Sequence, residues 1–396
     1  MSNHRRCPIQ CIIPPHMFEK MLESADAETR KTALETLLAD TRIRGIREVR
    51  STERSLSAST SGRRSIFDAR NSHSLGSAIL KRSEGEEPVD DDSVNRLCDG
   101  LGTTRDFFSE VFDRDSIDDR GHRLDGYVHV GNNYNNATFD GRVMRFGDGD
   151  GRQFTDFTLS LDVIAHELGH GVTQYTGDME YEKQPGALNE SMSDVFGSLV
   201  KQWANGETAD DADWLIGADI FTPGIDMDAL RSMSNPGEAY DNELFGKDPQ
   251  PSHMDNYFTG SADYYGVHIN SGIPNKAFYL TAIGIGGYAW EVAGQIWYAA
   301  LLASGHRTQF QEFADSTYLM ANDYGANAQA AVAEGWREVG IRISGLPAGV
   351  RGRRRKTQAE SIASGGALAS LTKKVEILGD RLKALSKDVK SIKEKK

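Results

Sequence analysis

Two histidines and the glutamate beside the first are the earliest candidates for chemistry in this sequence. His166, Glu167 and His170 form an H-E-x-x-H motif within residues 161–175, whose pattern predicts a helix. Histidines four positions apart lie on one helix face, so both imidazoles can reach a single Zn²⁺. Glu167 is turned to the side of that face, where it can contact a metal-bound water without binding the metal. The motif predicts a hydrolytic zinc centre with Glu167 as general base.

A second acidic residue completes the predicted zinc site. Hydrolytic zinc sites use three protein ligands and keep the fourth position for water. Glu190 follows His170 after nineteen residues, in an Asn-Glu-Ser-Met-Ser-Asp stretch that begins at Asn189. On a helix Glu190 and Asp194 share a face, so Glu190 can join the two histidines while Asp194 accepts the free ring N–H of His166. We expect Asn189, like Asp194, to contact the zinc ligands without binding the metal itself.

The elements that must position these residues follow from the pattern of a 396-residue chain that is 38% hydrophobic. Residues 17–50 read as helical, and residues 51–64 are rich in Ser, Thr, Arg and Gly, as exposed linkers are. Residues 65–160 alternate short apolar runs with Gly, Asn and Asp clusters, which predicts a sheet-rich lobe with tight turns. The pattern is helical from Leu161 through Gly340. The metal motif therefore lies near the boundary between two lobes.

Six motifs occur in order along the chain: Asn135-Asn-Ala137, Gly147-Asp-Gly-Asp-Gly151, His166-Glu-Leu-Gly-His170, Asn189-Glu-x3-Asp194, Leu230-Arg-Ser-Met-Ser234 and Gly266-Val-His-Ile-Asn-Ser-Gly272. With them the chain resembles the thermolysin family of zinc neutral metalloproteases, and within it the protealysin-like branch. The resemblance covers residues from about 64 to 341. It implies a two-lobed α+β fold with a sheet-rich N-terminal lobe, a helical C-terminal lobe and the zinc helix between them.

We divide the chain into four segments on this basis. They are a propeptide with its linker over 1–60, an N-terminal catalytic lobe with the zinc helix over 61–180, a helical C-terminal catalytic lobe over 181–342, and a basic linker with a heptad-repeat tail over 343–396.

The resemblance also implies roles for residues outside the zinc motif. His268, oriented by Asp263 and beside Tyr181, is expected to donate to the oxyanion that develops during hydrolysis. Arg231 is expected to hold a substrate carbonyl near the first residue after the scissile bond. Two further groups are expected to contact substrate. One pair aligns the substrate as an added strand, and four side chains form an apolar pocket for the first residue after the scissile bond. They are Asn136 and Ala137 for the strand, and Phe154, Phe157, Val163 and Leu230 for the pocket.

The resulting functional prediction is a zinc-dependent endopeptidase that cuts proteins or peptides on the amino side of bulky hydrophobic residues. Glu167 takes a proton from the attacking water and delivers it to the leaving amine. One catalytic Zn²⁺ is the predicted cofactor. The alternative from another class is a non-catalytic, zinc-stabilised binding module displayed by the tail.

Calcium binding is predicted to differ from that of thermolysin. Asp162 and Asp213 occupy two positions of the family's double calcium site, but Lys201 stands at a third. Calcium requires six to eight oxygen ligands, so we expect the double site to be absent and the Lys201 ammonium to pair with both carboxylates. A weaker calcium site near Asp228 is left open.

The beginning of the chain resembles the short propeptide of protealysins. The stretch Cys11-Ile-Ile-Pro-Pro-His-Met17 carries a similar double-proline signature. The resemblance implies that residues 1 to roughly 60 cover the cleft of a zymogen until self-cleavage within 51–64 removes them. The alternative is an N-terminal domain that stays attached.

The end of the chain is basic and regular. Residues 342–396 carry 15 Lys/Arg against 5 Asp/Glu, although the whole chain has a net charge of −13. An acidic body argues against nucleic acid as a partner. Seven apolar residues alternate at spacings of four and three, which favours self-association as a short coiled coil over 371–392, with docking to an anionic surface as the alternative. They are Leu371, Val375, Leu378, Leu382, Leu385, Val389 and Ile392.

The cellular location is predicted from two features that the sequence does not show, a membrane-spanning run and a secretory signal. No run of eighteen apolar residues exists to span a membrane, and the basic start has no apolar core typical of a secretory signal. Three cysteines cannot make a disulfide framework. We therefore expect a cytoplasmic protein, with secretion by a non-signal route as the alternative.

Overall fold

The computed structural model describes residues 10–50 and 62–346, without the side chains of 45–50. The predicted tail and most of the predicted linker lie outside these ranges. The helices in the described ranges are α1 (Pro15–Met21), α2 (Ala27–Arg50), α3 (Asp92–Phe112), α4 (Leu161–Thr176), α5 (Lys183–Asn205), α6 (Ala262–Asn270), α7 (Gly272–Ile285), α8 (Ala293–Leu302), α9 (Phe310–Met320) and α10 (Ala326–Glu338).

The strands make one six-stranded sheet and two short ladders. The sheet has the order β1-β5-β6-β4-β2-β3, and the ladders pair β7 with β8 and β9 with β10. The strands are β1 (Gln10–Cys11), β2 (Arg64–Asp68), β3 (Ile79–Ser83), β4 (Leu124–Val128), β5 (Ala137–Phe139), β6 (Met144–Phe146), β7 (Leu215–Ile216), β8 (Arg231–Ser232), β9 (Asp241–Asn242) and β10 (Gly246–Lys247). In the described ranges, the six-stranded sheet thus precedes α4 in the chain and six of the ten helices follow α4, as predicted.

Helices α4 and α5 pack against each other at unusually close range, and two glycines permit it. A Cβ on Gly169 of α4 would lie 3.2 Å from the Ser193 Cα of α5, and a Cβ on Gly197 of α5 would lie 2.6 Å from the Asp162 carbonyl oxygen. Any larger residue at Gly197 would force the helices apart. This approach places Glu190 of α5 opposite the histidines of α4.

The N-terminal segment packs on the catalytic lobes as part of the core. β1 pairs antiparallel with β5, with Gln10 opposite Phe139 and Cys11 opposite Thr138. The apolar side chains that follow have no measurable exposure, so the segment is buried as deeply as the body. They are Ile12, Ile13, Met17, Phe18 and Met21.

Two details of the predicted secondary structure were wrong. The helix expected over 17–50 is broken between α1 and α2, where the Asp26 side chain accepts a hydrogen bond from the Thr29 amide and starts a new helix. The helical pattern expected from 161 to 340 is interrupted by β7 to β10, because residues 206–261 form loops and short ladders. No helix in the described part of the chain is long and apolar enough to cross a membrane.

Candidate active site

The three predicted ligands meet between α4 and α5. The rings of His166 and His170 lie 4.5 Å apart and nearly perpendicular. One ligand atom from each histidine and one carboxylate oxygen of Glu190 lie within 4.8 Å of one another. All three side chains are buried, with at most 1% exposure. This geometry gathers two nitrogens and one oxygen around a single point, which is the donor set of hydrolytic zinc sites.

Hydrogen bonds behind the histidines fix which nitrogen faces that point. The Nδ1 of His166 lies 2.9 Å from Asp194 Oδ1, and the Nδ1 of His170 lies 2.8 Å from Asn189 Oδ1. Because each Nδ1–H donates to an oxygen, each Nε2 is free to bind a metal. The Ser193 hydroxyl also lies 2.9 Å from His170 Nδ1. Sequence analysis missed Ser193, although its i, i+4 relation to Asn189 was a usable signal.

A bound zinc ion fits this cluster because the atoms that face it lack partners. His166 Nε2, His170 Nε2 and Glu190 Oε2 are buried and accept or donate no hydrogen bond within the described residues. Buried polar atoms without partners are costly, and a divalent cation would satisfy all three at once.

The charges of the cluster hold its members in different protonation states. Burial opposes protonation of His166, yet the hydrogen bond with Asp194 and the negative charges of Asp194 and Glu190 outweigh it and raise the pKa of His166 to about 9. Burial lowers the pKa of His170 to about 3. Burial alone would raise the pKa of Glu190, but the neighbouring histidine charges, His268 first, hold it below its usual value.

Glu167 faces the cluster from α4 without joining it. Its side chain is buried, and within the described residues neither carboxylate oxygen has a hydrogen-bond partner. Burial, reinforced by the Glu190 charge against the opposing His166 charge, raises the pKa of Glu167 to about 8. A carboxylate with a pKa near neutrality can both accept and return a proton, as a general base and acid must.

His268 is oriented by a left-handed turn. The four residues from Asp263 to Gly266 have φ values between 51° and 81°, which is strained for the three that are not glycine. The turn lets the Asp263 carboxylate reach His268 Nδ1 at 2.6 Å and the His268 amide at 2.7 Å. The other ring nitrogen of His268 therefore points into the cleft, 3.3 Å from the Tyr181 hydroxyl. That hydroxyl also donates to Glu190.

Arg231 shares a carboxylate with the metal site. Its Nε and Nη2 donate to both oxygens of Asp194 at 2.9 and 2.8 Å, so one buried carboxylate supports Arg231 and His166 together. The Asn275 side chain donates to Asp194 from a third direction at 2.9 Å. Asn275 was not predicted, because it lies on α7 and no spacing rule connects it to α5.

The residues expected to bind substrate contact the N-terminal segment instead. Arg231 Nη1 donates to the Ile12 carbonyl at 2.9 Å, and the Ile13 amide donates to Asn136 Oδ1 at 3.1 Å. The Ile12 amide donates to the Ala137 carbonyl at 3.1 Å. The segment therefore occupies, with its backbone, the positions that an added substrate strand would need.

The four predicted pocket residues are all buried. Phe154, Phe157 and Val163 have no measurable exposure and Leu230 has 1%. The Phe154 ring stacks 5.8 Å from Phe157 and lies 6.4 Å from Phe18 of α1. Their role as walls for a substrate side chain stays a prediction.

Lys201 lies where the predicted ion pair requires it. Its ammonium is 3.2 Å from Asp162 Oδ2 and 2.9 Å from Asp213 Oδ2, and it also donates to the Leu215 carbonyl. The expected pairing is present. The predictions about calcium, including a weaker site near Asp228, stay untested. The Asp150 side chain in the Gly-Asp-Gly-Asp-Gly loop accepts three backbone amides, as a structural turn would.

Comparison with known proteins agrees with this geometry over most of the chain. Residues 59–174 match the family model described as "Thermolysin metallopeptidase, catalytic domain", and residues 177–341 match "Thermolysin metallopeptidase, alpha-helical domain".

Relatives and a solved structure match a larger share of the chain than the family models do. An "Extracellular metalloprotease" of Pectobacterium carotovorum is 43% identical over 85% of this chain and 97% of its own length. "Protease PrtS" of Photorhabdus is 42% identical over 84% of this chain and 92% of its own. The solved precursor of protealysin from Serratia proteamaculans is 43% identical, covers 84% of this chain and 99% of its own, and superimposes with a TM-score of 0.77.

A buried His₂Glu cluster with a glutamate beside it, between a sheet-containing lobe and a helical lobe, defines a metallopeptidase. The residues, the fold and the relatives agree on one class of zinc enzyme. The chain belongs to the thermolysin family of metalloendopeptidases, and within that family it is protealysin-like.

Proposed function

We propose that the propeptide keeps this endopeptidase latent by lying along the cleft as a substrate would, and that the enzyme removes it by self-cleavage. One observation carries the proposal: the backbone of residues 11–13 makes hydrogen bonds with His268, Arg231, Asn136 and Ala137. No protein substrate can use those groups while the propeptide is in place.

The residues of the site divide the chemistry between them. His166, His170 and Glu190 hold the zinc ion, which when bound lowers the pKa of a water molecule and polarises a carbonyl. Glu167 takes the proton of the attacking water and returns it to the leaving amine. His268, fixed by Asp263, donates to the carbonyl oxygen that gains charge, with Tyr181 beside it. A single donor of this kind contributes roughly 2.7–4 kcal/mol to the barrier reduction.

The propeptide also supports the predicted specificity. Ile12 follows the carbonyl that contacts His268, and its side chain has no measurable exposure. Burying an aliphatic side chain of this size stabilises a complex by roughly 1.5–3 kcal/mol. We infer that the enzyme cuts before bulky hydrophobic residues in its substrates.

Maturation is tested by following intact mass and casein hydrolysis of the purified chain over time, beside Glu167→Ala and the exposed-residue control Glu110→Ala. The parent and the control are expected to lose about sixty N-terminal residues and gain chelator-sensitive activity, while Glu167→Ala stays whole. Intact, inactive parent protein with zinc bound would favour the binding-module alternative.

Two further features belong to this proposal. We infer that residues 371–392 mediate self-association, supported by their heptad spacing. For location, the Pectobacterium relative is described as extracellular, which supports action outside the cell, the alternative to the cytoplasmic expectation. Fractionation of a producing culture into medium and cells distinguishes the two.

A further inference from the structure

The propeptide places one particular peptide bond between the groups assigned to the scissile bond. His268 Nε2 lies 3.0 Å from the carbonyl oxygen of Cys11, and Arg231 Nη1 lies 2.9 Å from the carbonyl oxygen of Ile12. The first contact is that expected of the residue before a cut, and the second is that expected of the residue after it. The Cys11–Ile12 bond therefore lies at the position where substrates are hydrolysed.

The direction of the chain agrees with this register. β1 runs antiparallel to β5, and the Ile12 amide donates to the Ala137 carbonyl at 3.1 Å. The next amide, that of Ile13, donates to Asn136 Oδ1. A segment bound in the reverse direction would not place its amides on Ala137 and Asn136 while its carbonyls face His268 and Arg231. The propeptide thus has the polarity as well as the position of a substrate.

We propose that the Cys11–Ile12 bond is itself a substrate of this active centre and is hydrolysed within the same molecule during activation. The inference rests on the proposed function. The propeptide then leaves in two pieces, one ending at Cys11 and one beginning at Ile12, instead of as one fragment.

The hydrolysis balances with water as the only co-reactant. The water oxygen bonds to the Cys11 carbonyl carbon, and the bond from that carbon to the Ile12 nitrogen breaks. Glu167 accepts a proton from the water and passes it to the departing nitrogen. The products are a carboxylate on Cys11 and a free amine on Ile12.

The anchoring of the propeptide explains why a bond in this position persists in the latent protein. The residues after the bond are held by fully buried side chains, including Met17, Phe18 and Met21. Further along, Asp40 of α2 accepts hydrogen bonds from the Tyr134 hydroxyl at 2.5 Å and from the Asn136 side chain at 3.0 Å. A new amine held at Ile12 stays beside the Cys11 carboxylate at high effective concentration, so the bond re-forms. Cleaved protein accumulates only after a cut in 51–64 frees α1 and α2.

The test is N-terminal analysis of all fragments released while the full-length chain activates in ¹⁸O-labelled water, with casein hydrolysis followed in parallel. We expect a fragment that begins at Ile12 and one that ends at Cys11 with ¹⁸O in its carboxylate. Both are expected to be absent from Glu167→Ala. Ile12→Val, which keeps a branched apolar side chain, is expected to retain the cut, and Ile12→Asp to reduce it at least tenfold because a carboxylate would replace a buried side chain.

The outcomes separate this inference from the proposed function. If casein hydrolysis develops while every released propeptide fragment keeps the Cys11–Ile12 bond, the inference is overturned and the proposed function stands. Equal cutting of that bond in Glu167→Ala would assign it to another protease and overturn the inference as well. If neither casein hydrolysis nor any processing develops, both fall. The main result is measured on the parent chain, so the test remains valid even if Ile12→Asp fails to fold.

Discussion

At the scale of single residues, one buried carboxylate connects metal binding with substrate binding. Asp194 bonds to the ring of the ligand His166 and to the guanidinium of Arg231, and Asn275 donates to it as well. Burial alone would raise the pKa of Asp194, but the Arg231 and His166 charges lower it to about 2. The carboxylate is therefore charged at every pH at which the enzyme is expected to work.

Asp194→Asn is predicted to weaken zinc binding by about 10–100-fold, because the neutral amide no longer stabilises the His166 ring in the orientation that binds metal. It also leaves Arg231 without its charge partner, so KM for a peptide substrate is expected to rise. Competition with a chromogenic chelator measures the zinc affinity. Asp323→Asn, at an exposed position, is the matched control. Unchanged zinc affinity in Asp194→Asn would contradict the assignment.

At the scale of elements, close packing of α4 and α5 assembles the ligands, and Lys201 of α5 forms an ion pair with Asp162 in the first turn of α4. Asp162 of α4 is fully buried, and Lys201 of α5 is its charged partner. The Lys201 side chain is 17% exposed, so the pair is largely shielded from water. Removing one member of such a pair leaves an uncompensated charge beside the zinc helix.

Lys201→Met is predicted to destabilise the protein by roughly 3 kcal/mol, because the Asp162 carboxylate would remain buried without its cation. Urea denaturation of the Glu167→Ala background measures the change without interference from self-cleavage. Adding Asp162→Asn to Lys201→Met is expected to recover part of the loss.

The calcium dependence of the melting temperature follows from the same pair. Because the ammonium occupies the space between Asp162 and Asp213, millimolar calcium is predicted to leave the Tm of the parent nearly unchanged. Magnesium at equal ionic strength is the control. A large rise specific to calcium would contradict the prediction.

The propeptide helix α2 carries a carboxylate, that of Asp40, whose pKa is raised where that of Asp194 is lowered. Burial raises the pKa of Asp40 to about 6, despite hydrogen bonds from Tyr134 and Asn136 that lower it. Its pKa in an unfolded chain is about 3.9. The folded state therefore binds the proton more tightly, so this stabilisation is complete below about pH 4 and is lost as the pH rises through 6.

Comparison of Asp40→Asn with its parent, both in the Glu167→Ala background, tests this shift. Between about pH 4 and 7 the parent is predicted to lose roughly 2–3 kcal/mol relative to the variant, since one pKa unit corresponds to about 1.4 kcal/mol. The comparison is needed because burial lowers the pKa of His16 to about 4, which acts in the opposite direction. Glu35→Gln, on the exposed face of α2, is expected to show no such change. A pH-independent difference between Asp40→Asn and its parent would refute the assignment.

At the scale of the whole molecule, the sequence divides into an N-terminal segment that we propose to be regulatory, a catalytic body and a basic C-terminal stretch. The body and the propeptide belong to one compact unit that ends at Leu346. The tail lies outside the described residues, so its assembly remains a prediction from the heptads.

Light scattering of the full chain is predicted to give a species larger than the monomer. Leu378→Asp is predicted to make the chain monomeric, because a carboxylate among the seven apolar heptad positions opposes helix pairing. Lys383→Asp, outside the seven apolar positions, changes the charge in the same direction as a control. A monomeric full chain that binds anionic vesicles at low salt would instead favour surface docking.

The sequence by itself determined the chemistry and the family of this protein. The spacing of His166, Glu167 and His170 dictates which side chains share a helix face, and Glu190 and Asp194 repeat that relation on the next helix, so local periodicity was sufficient for the metal ligands. The apolar patterns before and after Leu161 predicted the two lobes, because sheet and helix periodicities are local as well.

Only the tertiary structure decided how residues far apart in sequence act together. No local rule brings Asn275 of α7 to Asp194, or sets Cys11 against His268 across 257 positions. Whether the propeptide lies along the cleft in the substrate direction, and which of its bonds meets the catalytic groups, depends on the register of β1 on β5 and on its contacts with His268 and Arg231, which are distant in sequence. Long-range packing selects among the many arrangements that the same local elements permit.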